Sequence, residues 1–152
     1  MADHMIVATF RERNAAYDAI SAAKKLEDDE AAGFKARAGV MVGKDDKGNV
    51  HILEKDKGVP WGVAVGPATG ALIGLVGGAT GAAVGAALGA ALGIPSDAIL
   101  DGLDHEFVKD VEKDMRPGTT AVIVEAEEGS EVPLDLIVER YGGRVHRQDV
   151  VH

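Results

Sequence analysis

Cysteine is absent from the 152-residue sequence, and basic residues are fewer than acidic ones. Without cysteine, the protein has no disulfide framework, no thiolate metal site and no cysteine nucleophile. The 16 Lys and Arg residues against 25 Asp and Glu residues give a formal net charge of -9. Because this charge repels phosphate backbones, we expect no nucleic-acid partner.

The sequence also lacks the short motifs of common catalytic and cofactor sites. The glycine-rich centre contains neither of the nucleotide-binding patterns Gly-x-x-x-x-Gly-Lys-Ser/Thr and Gly-x-Gly-x-x-Gly. The Gly-x-Ser-x-Gly motif of serine hydrolases is also absent. The five histidines show no metal-binding spacing. They are His4, His51, His105, His146 and His152. We therefore predict a protein that is not an enzyme, with no catalytic residue, cofactor or metal ligand.

The first residues lack the basic region and apolar core of a signal peptide. Together with the absence of cysteine, this favours a location in the cytoplasm or at the cytoplasmic face of a membrane.

Charged residues are missing from one long stretch, since none occurs between Lys57 and Asp97. Within residues 59–94, ten are Gly and ten are Ala, a bias far beyond that of ordinary core sequence. These limits predict three segments. Residues 1–58 and 96–152 form the two halves of one α+β domain, and residues 59–95 form an insertion between them.

The two flanks read as strand and helix in alternation. Residues 5–10 predict a strand. Asn14 predicts the cap of the following helix, and Gly33 predicts its end. A β-hairpin is predicted next, with its turn at residues 46–49. After the insertion, Asp104 predicts a helix cap and residues 120–126 predict a strand. Pro133 predicts the start of a second helix, Gly142-Gly143 its end, and residues 144–151 a last strand. We therefore predict a ferredoxin-like βαββαβ sandwich, with two helices on one sheet face; a dimeric barrel or another α+β order fits the same pattern.

Ten glycines in the insertion fall into two ladders with a period of four residues. The first ladder is Gly62, Gly66, Gly70, Gly74 and Gly78, and the second is Gly77, Gly81, Gly85, Gly89 and Gly93. On a helix, residues four apart lie nearly above one another, so each ladder leaves a groove that another backbone can approach closely. The change of phase at Gly77 and Gly78 predicts two antiparallel helices, which together form a glycine-zipper hairpin.

The sequence allows three environments for this hairpin. The uncharged run and Trp61 at its boundary favour a membrane. Helices of about 16 and 13 residues would measure roughly 24 and 20 Å, which is short of a hydrocarbon core of about 30 Å. Packing between subunits in water is the second environment, and packing only on the chain's own sheet is the third.

Several short stretches are similar, in this order, to those of a known family. They are Trp61-Gly62, Phe107-Val108-Lys109, Arg116-Pro117-Gly118-Thr119-Thr120-Ala121 and Gly142-Gly143-Arg144-Val145. Taken together, they resemble a bacterial and archaeal family of uncharacterised proteins that are usually labelled predicted membrane proteins. The resemblance runs nearly end to end and implies a possible contact with lipid, but no reaction and no catalytic residues.

The pattern as a whole predicts a non-enzymatic protein that assembles with itself, into a homo-oligomer. Trp61 and the ten ladder glycines are the predicted interface, between subunits or in a membrane. An alternative function is a ferredoxin-like oligomer that binds a small ligand on a polar or His-lined sheet face, with the hairpin as a lid or dimer arm.

Overall fold

The fold is described here from a computed structural model, which covers residues 2–53, 69, 72, 73 and 103–149. It is a mixed α+β structure, as predicted. The elements are β1 (Ala2–Phe10), α1 (Arg13–Glu27), a 3-10 helix (Glu30–Ala32), β2 (Phe34–Lys44), β3 (Val50–Ile52), α2 (His105–Asp114), β4 (Thr120–Glu128), α3 (Val132–Arg140) and β5 (Arg144–Asp149).

All five strands belong to one sheet in the order β3-β2-β4-β1-β5, and every neighbouring pair is antiparallel. The central strand β4 pairs with β1 along all nine of its residues, from Ala2 opposite Glu128 to Phe10 opposite Thr120. Strands from both sides of the glycine-rich insertion therefore alternate within one sheet.

Alternation along the strands divides the core into two layers. In β1, Ile6, Ala8 and Phe10 face one layer, whereas Met5 and Val7 face the other. The first layer is completed by α1 and α3, through side chains that include Ala16, Ala19, Ile20, Ala23, Leu134 and Val138. The second layer is completed by α2, through Phe107, Val111 and Met115. Because both faces are apolar and covered, the sheet is sandwiched rather than open.

A β-bulge in β2 changes which side chains share a face. Pairing with β4 shifts between Ala36 and Ala38, so that Arg37 is the extra residue. Ala36 therefore packs in the first layer, while Val40 and Val42 pack in the second. The bulge therefore interrupts the regular alternation of side chains between the two faces along β2.

The start and end of α1 differ from the prediction. The helix begins at Arg13 after Glu12, which caps it through backbone geometry without a side-chain hydrogen bond, so Asn14 is not the cap. The helix ends at Glu27, and the left-handed Gly33 instead closes the 3-10 helix, with φ of 66°. Gly33 is therefore a cap of the predicted kind on a different helix.

Other predicted boundaries are confirmed. The turn between β2 and β3 lies at residues 45–49 with Gly48 at φ of 85°. Asp104 caps α2 by accepting a hydrogen bond of 3.0 Å from the Glu106 amide, and Pro133 lies in the first turn of α3. Gly142, at φ of 77°, ends α3.

Candidate functional site

The predicted interface residues lie outside the described part of the chain. These are Trp61, Gly62, Gly66, Gly70, Gly74, Gly77, Gly78, Gly81, Gly85, Gly89 and Gly93. Three residues of the same block are described, namely Thr69, Leu72 and Ile73, and all three are helical. Their surroundings show where part of the block contacts the sheet.

Leu72 and Ile73 pack in the second layer of the core, and only 0% and 1% of their surfaces are exposed. The same cluster contains Val7 of β1 and Val111 of α2. The central block is thus attached to the second sheet face of its own chain. This face is apolar and covered, which differs from the open, polar or His-lined face that a sheet-bound ligand was expected to need.

Thr69 is also buried, and among the residues that the structure describes its hydroxyl oxygen has no hydrogen-bond partner. Positions 69, 72 and 73 have the i, i+3, i+4 spacing of residues that share one face of a helix. A buried hydroxyl without a partner costs about 1–3 kcal/mol. The same helix face therefore carries the buried Leu72 and Ile73 and the hydroxyl group of Thr69.

Within the described residues, no helix has the length and hydropathy needed to cross a membrane. The predicted hairpin is not covered by this finding, because its residues lie largely outside that part of the chain.

A polar cleft lies at one end of the sheet. β1 runs antiparallel to β4 and β5, so the end of β1 meets the beginnings of the other two strands, as shown by Thr9 opposite both Ala121 and Arg144. A cavity of about 130 Å³ opens there. Its lining is Thr9, Phe10, Arg11, Asp114, Arg116, Thr119, Gly142 and Arg144.

The loop before β5 holds the backbone close to this cleft. A Cβ atom placed on Gly143 would lie 2.8 Å from the carbonyl oxygen of Thr9 and 2.6 Å from the Phe10 ring. Only glycine allows this approach without displacement of the backbone. The Gly142-Gly143 pair therefore brings Arg144 to its place at the cleft.

Arginine dominates the charge of the cleft, with three Arg side chains and one Asp. The Asp114 carboxylate is already occupied, since Oδ2 lies 2.6 Å from His146 Nε2 and Oδ1 lies 3.4 Å from Arg144 Nη1. Among the described residues, neither Arg11 nor Arg116 has an ion-pair partner. The cleft thus offers cationic donors on a chain whose net charge is negative.

A second charged group is buried beside the far end of β1. The side chain of Glu128 is 1% exposed and accepts hydrogen bonds from Arg147 Nε at 2.7 Å and Nη2 at 2.9 Å. His4 Nδ1 lies 2.8 Å from the same carboxylate, and Arg147 Nη1 donates to Asp135 at 2.5 Å. Burial opposes the charge of Arg147, but the bonds to Glu128 and Asp135 outweigh it and raise its pKa.

The pKa of Asp45, in the β2–β3 turn, is lowered. A hydrogen bond of 3.0 Å with His51 Nε2, and then the backbone amides of Asn49 and Lys47, lower the pKa of Asp45 to about 2. Because the folded pKa lies below the ordinary value, the stabilisation is present above about pH 4. It is lost as the pH falls towards 2, where the folded state also takes up the proton.

We predict that His51→Ala raises the pKa of Asp45 from about 2 towards, but not to, its ordinary value. The two backbone amides still donate in the variant, so part of the shift survives. NMR titration of the Asp45 carboxyl carbon in both proteins measures this change. An unchanged titration would show that His51 does not stabilise the carboxylate.

The sequence did not indicate the charged groups that the fold brings together. Glu128 is separated by 124 residues from His4 and by 19 from Arg147, so no local spacing marks the cluster. The acidic run at residues 27–30 has local roles, because Glu27 accepts from the Ala36 amide at 2.8 Å and Asp29 caps the 3-10 helix. Within the described ranges, no group of His and carboxylate side chains is suited to hold a metal ion.

Comparison with protein families gives a match over the later part of the chain. Residues 58–152 match the family described as Protein of unknown function (DUF1269). The chain belongs to this family. Searches of curated proteins and of solved structures gave no match.

The DUF1269 match includes the glycine-rich block, α2, β4, α3 and β5 but not β1 to β3. The resemblance in the sequence was expected to run nearly end to end, and the match covers the later part. The Arg116 and Arg144 sides of the cleft lie within the matched residues, whereas Arg11 lies before them.

Proposed function

We propose that this protein is a non-enzymatic, self-assembling protein whose glycine-rich block packs between subunits. Its α+β domain is proposed to be a ferredoxin-like sandwich, for which the order β5-β1-β4-β2 and the position of α1 and α3 on one face are the support. In this proposal β3 and α2 are additions, and α2 covers the second face. The cytoplasm, or the cytoplasmic face of a membrane, is the proposed location.

The burial of Leu72 and Ile73 in the chain's own core is the observation that supports this proposal most directly. It attaches the glycine-rich block to a folded domain by one helix stripe. A helix attached in this way holds its other sides at a defined angle to the domain. Such a rigid attachment favours a specific interface over a loosely tethered hydrophobic segment.

We propose that the helix of Thr69, Leu72 and Ile73 continues through Gly70 and Gly74. On such a helix successive positions differ by about 100°, so Gly70 would lie about 100° and Gly74 about 140° from Thr69. The stripe at 69, 72 and 73 would then leave the groove at Gly70 and Gly74 on another side of the helix. We infer that this groove receives another helix, either the second ladder or the block of another subunit.

The attachment also bears on the membrane alternative. Leu72 and Ile73 lie against strands and α2, so these large apolar side chains are not available to lipid. The second ladder is poor in large side chains, with Val84, Leu88 and Leu92 among Ala and Gly. We therefore propose assembly in water, and the tests below distinguish it from insertion into a bilayer.

The variant Gly70→Leu tests the glycine groove. A leucine in the groove prevents close approach of a second helix and is expected to cost about 1–3 kcal/mol for each interface that contains it. Leucine also favours the helical state over glycine by about 1 kcal/mol, so the fold itself should not be weakened through helix propensity. The measurement is light scattering on a sizing column, at equal protein concentrations.

Ala71→Leu is the matched control, because on the same helix position 71 would lie about 160° from Thr69 and about 100° from Gly70. We expect a smaller particle for Gly70→Leu and the parent size for Ala71→Leu. Equal particle sizes for the parent and both variants would contradict the proposed interface. Recovery of the parent protein only in the membrane fraction would instead assign the block to a bilayer.

A further inference from the structure

We propose that the cleft lined by Arg11, Arg116 and Arg144 binds a dianionic phosphoryl group of a small molecule. This function goes beyond assembly and is placed at the end of the sheet where β1 ends. The proposal rests on the position of the three arginines, their charge and the size of the cavity.

Convergence from distant parts of the chain is the first argument. Arg11 follows β1, Arg116 follows α2, and Arg144 begins β5, yet all three line one cleft. The antiparallel pairing of β1 with β4 and β5 brings these segments to the same edge. Gly143 allows the close approach of the last segment to β1, because a larger residue would meet the Thr9 carbonyl.

Charge is the second argument. The three Arg and one Asp leave a local charge of 3 − 1 = +2, on a chain with a formal net charge of -9. The Asp114 carboxylate is turned to His146 and Arg144, which reduces its repulsion of an anion. Arg11 and Arg116 have no ionic partner among the described residues, and the Arg144 side chain is 77% exposed. These guanidinium groups are therefore available to a ligand from solvent.

The chemistry of the lining identifies the ligand class. Guanidinium groups bind phosphate and carboxylate oxygens through paired hydrogen bonds. A local charge of +2 matches the dianion of a phosphate monoester better than a single carboxylate. Thr9 and Thr119 belong to the same lining, and a threonine hydroxyl is able to donate a hydrogen bond to a phosphate oxygen.

The size of the cavity limits what it can enclose. At about 130 Å³ it is smaller than the roughly 300–1,000 Å³ pockets that enclose whole drug-sized ligands. We therefore infer that the phosphoryl group enters the cleft and that the rest of the ligand remains outside. Inorganic phosphate should bind by the same contacts.

Equilibrium dialysis of the full-length protein with radiolabelled inorganic phosphate tests the proposal, whatever the size of the assembly. Ionic strength is held constant with sodium chloride, and phenyl phosphate and acetate are added as competitors. We expect saturable binding at one site per chain, competition by phenyl phosphate and little competition by acetate. Competition by acetate equal to that of phenyl phosphate would overturn the assignment to phosphoryl groups.

Arg116→Ala and Arg140→Ala form the variant pair, since both arginines are exposed and only Arg116 lines the cleft. Loss of one charged hydrogen-bond donor should weaken phosphate binding by about 10-fold or more in Arg116→Ala, and Arg140→Ala should bind as the parent does. Both variants should keep the parent particle size. Equal weakening in the two variants, or no saturable binding by the parent, would overturn the proposal.

Discussion

Arg147→Met is expected to lower the free energy of unfolding by about 3–5 kcal/mol. The Arg147 side chain is 10% exposed and holds both oxygens of Glu128, a carboxylate that is almost entirely buried. Methionine keeps most of the length of the side chain but donates no hydrogen bond. The variant therefore leaves a buried negative charge with His4 as its nearest remaining partner. Urea denaturation at pH 7, with an unchanged m value, measures the loss.

Arg144→Met is the matched control on the same strand. Arg144 is largely exposed, and its only ionic partner among the described residues, Asp114, lies 3.4 Å away, so the change should cost less than about 1 kcal/mol. A second check combines Arg147→Met with Glu128→Leu, which removes both partners and should be less destabilising than the sum of the single changes. Equal losses in Arg147→Met and Arg144→Met would contradict the buried pair.

Leu72→Ala should destabilise the protein by about 2–5 kcal/mol, because it removes methyl and methylene groups from a fully buried site and leaves a cavity. The effect should not depend on protein concentration, since Leu72 packs within the second core layer of its own chain. A contact made only between subunits would instead weaken as the protein is diluted. Urea denaturation at two protein concentrations tenfold apart measures both properties.

Leu136→Ala is the control for this change, because Leu136 is a leucine on α3 that is 58% exposed. The same atoms are removed there without a buried cavity, and the expected effect is within about 0.5 kcal/mol. If Leu72→Ala were as mild as Leu136→Ala, the central block would not be attached to the sheet. If its effect disappeared at the lower protein concentration, the contact would lie between subunits.

Local signals in the sequence predicted the elements that depend on local chemistry. The Asp104 cap, the turn before β3, the Pro133 helix start and the Gly142 helix end are all set by residues within a few positions of one another. Such interactions leave a mark in the sequence because side chain and backbone of neighbouring residues satisfy each other. The α+β class followed from these elements in order.

Features that depend on distant residues were not predicted. The bulge at Arg37 arises from pairing with β4, and nothing in the residues around Arg37 distinguishes it from a regular strand. The cover on the second sheet face likewise depends on α2 and on Leu72 reaching the same cluster as Val7. Periodicity gave each segment an apolar side but not the surface on which that side would pack.

The same distinction applies to the sites. The glycine ladders are periodic and were therefore visible in the sequence, although their assembly remains a proposal. The arginine cleft unites positions 11, 116 and 144, which become neighbours only when β1 pairs with β4 and β5. A basic cluster in an acidic chain becomes apparent only after the strand order is known.

The particle mass of the full-length protein, purified without detergent and measured by light scattering on a sizing column, tests self-assembly most directly. The proposal predicts a uniform soluble particle whose mass is a multiple of the 15.7 kDa chain. A stable 15.7 kDa monomer across the accessible concentration range would contradict it.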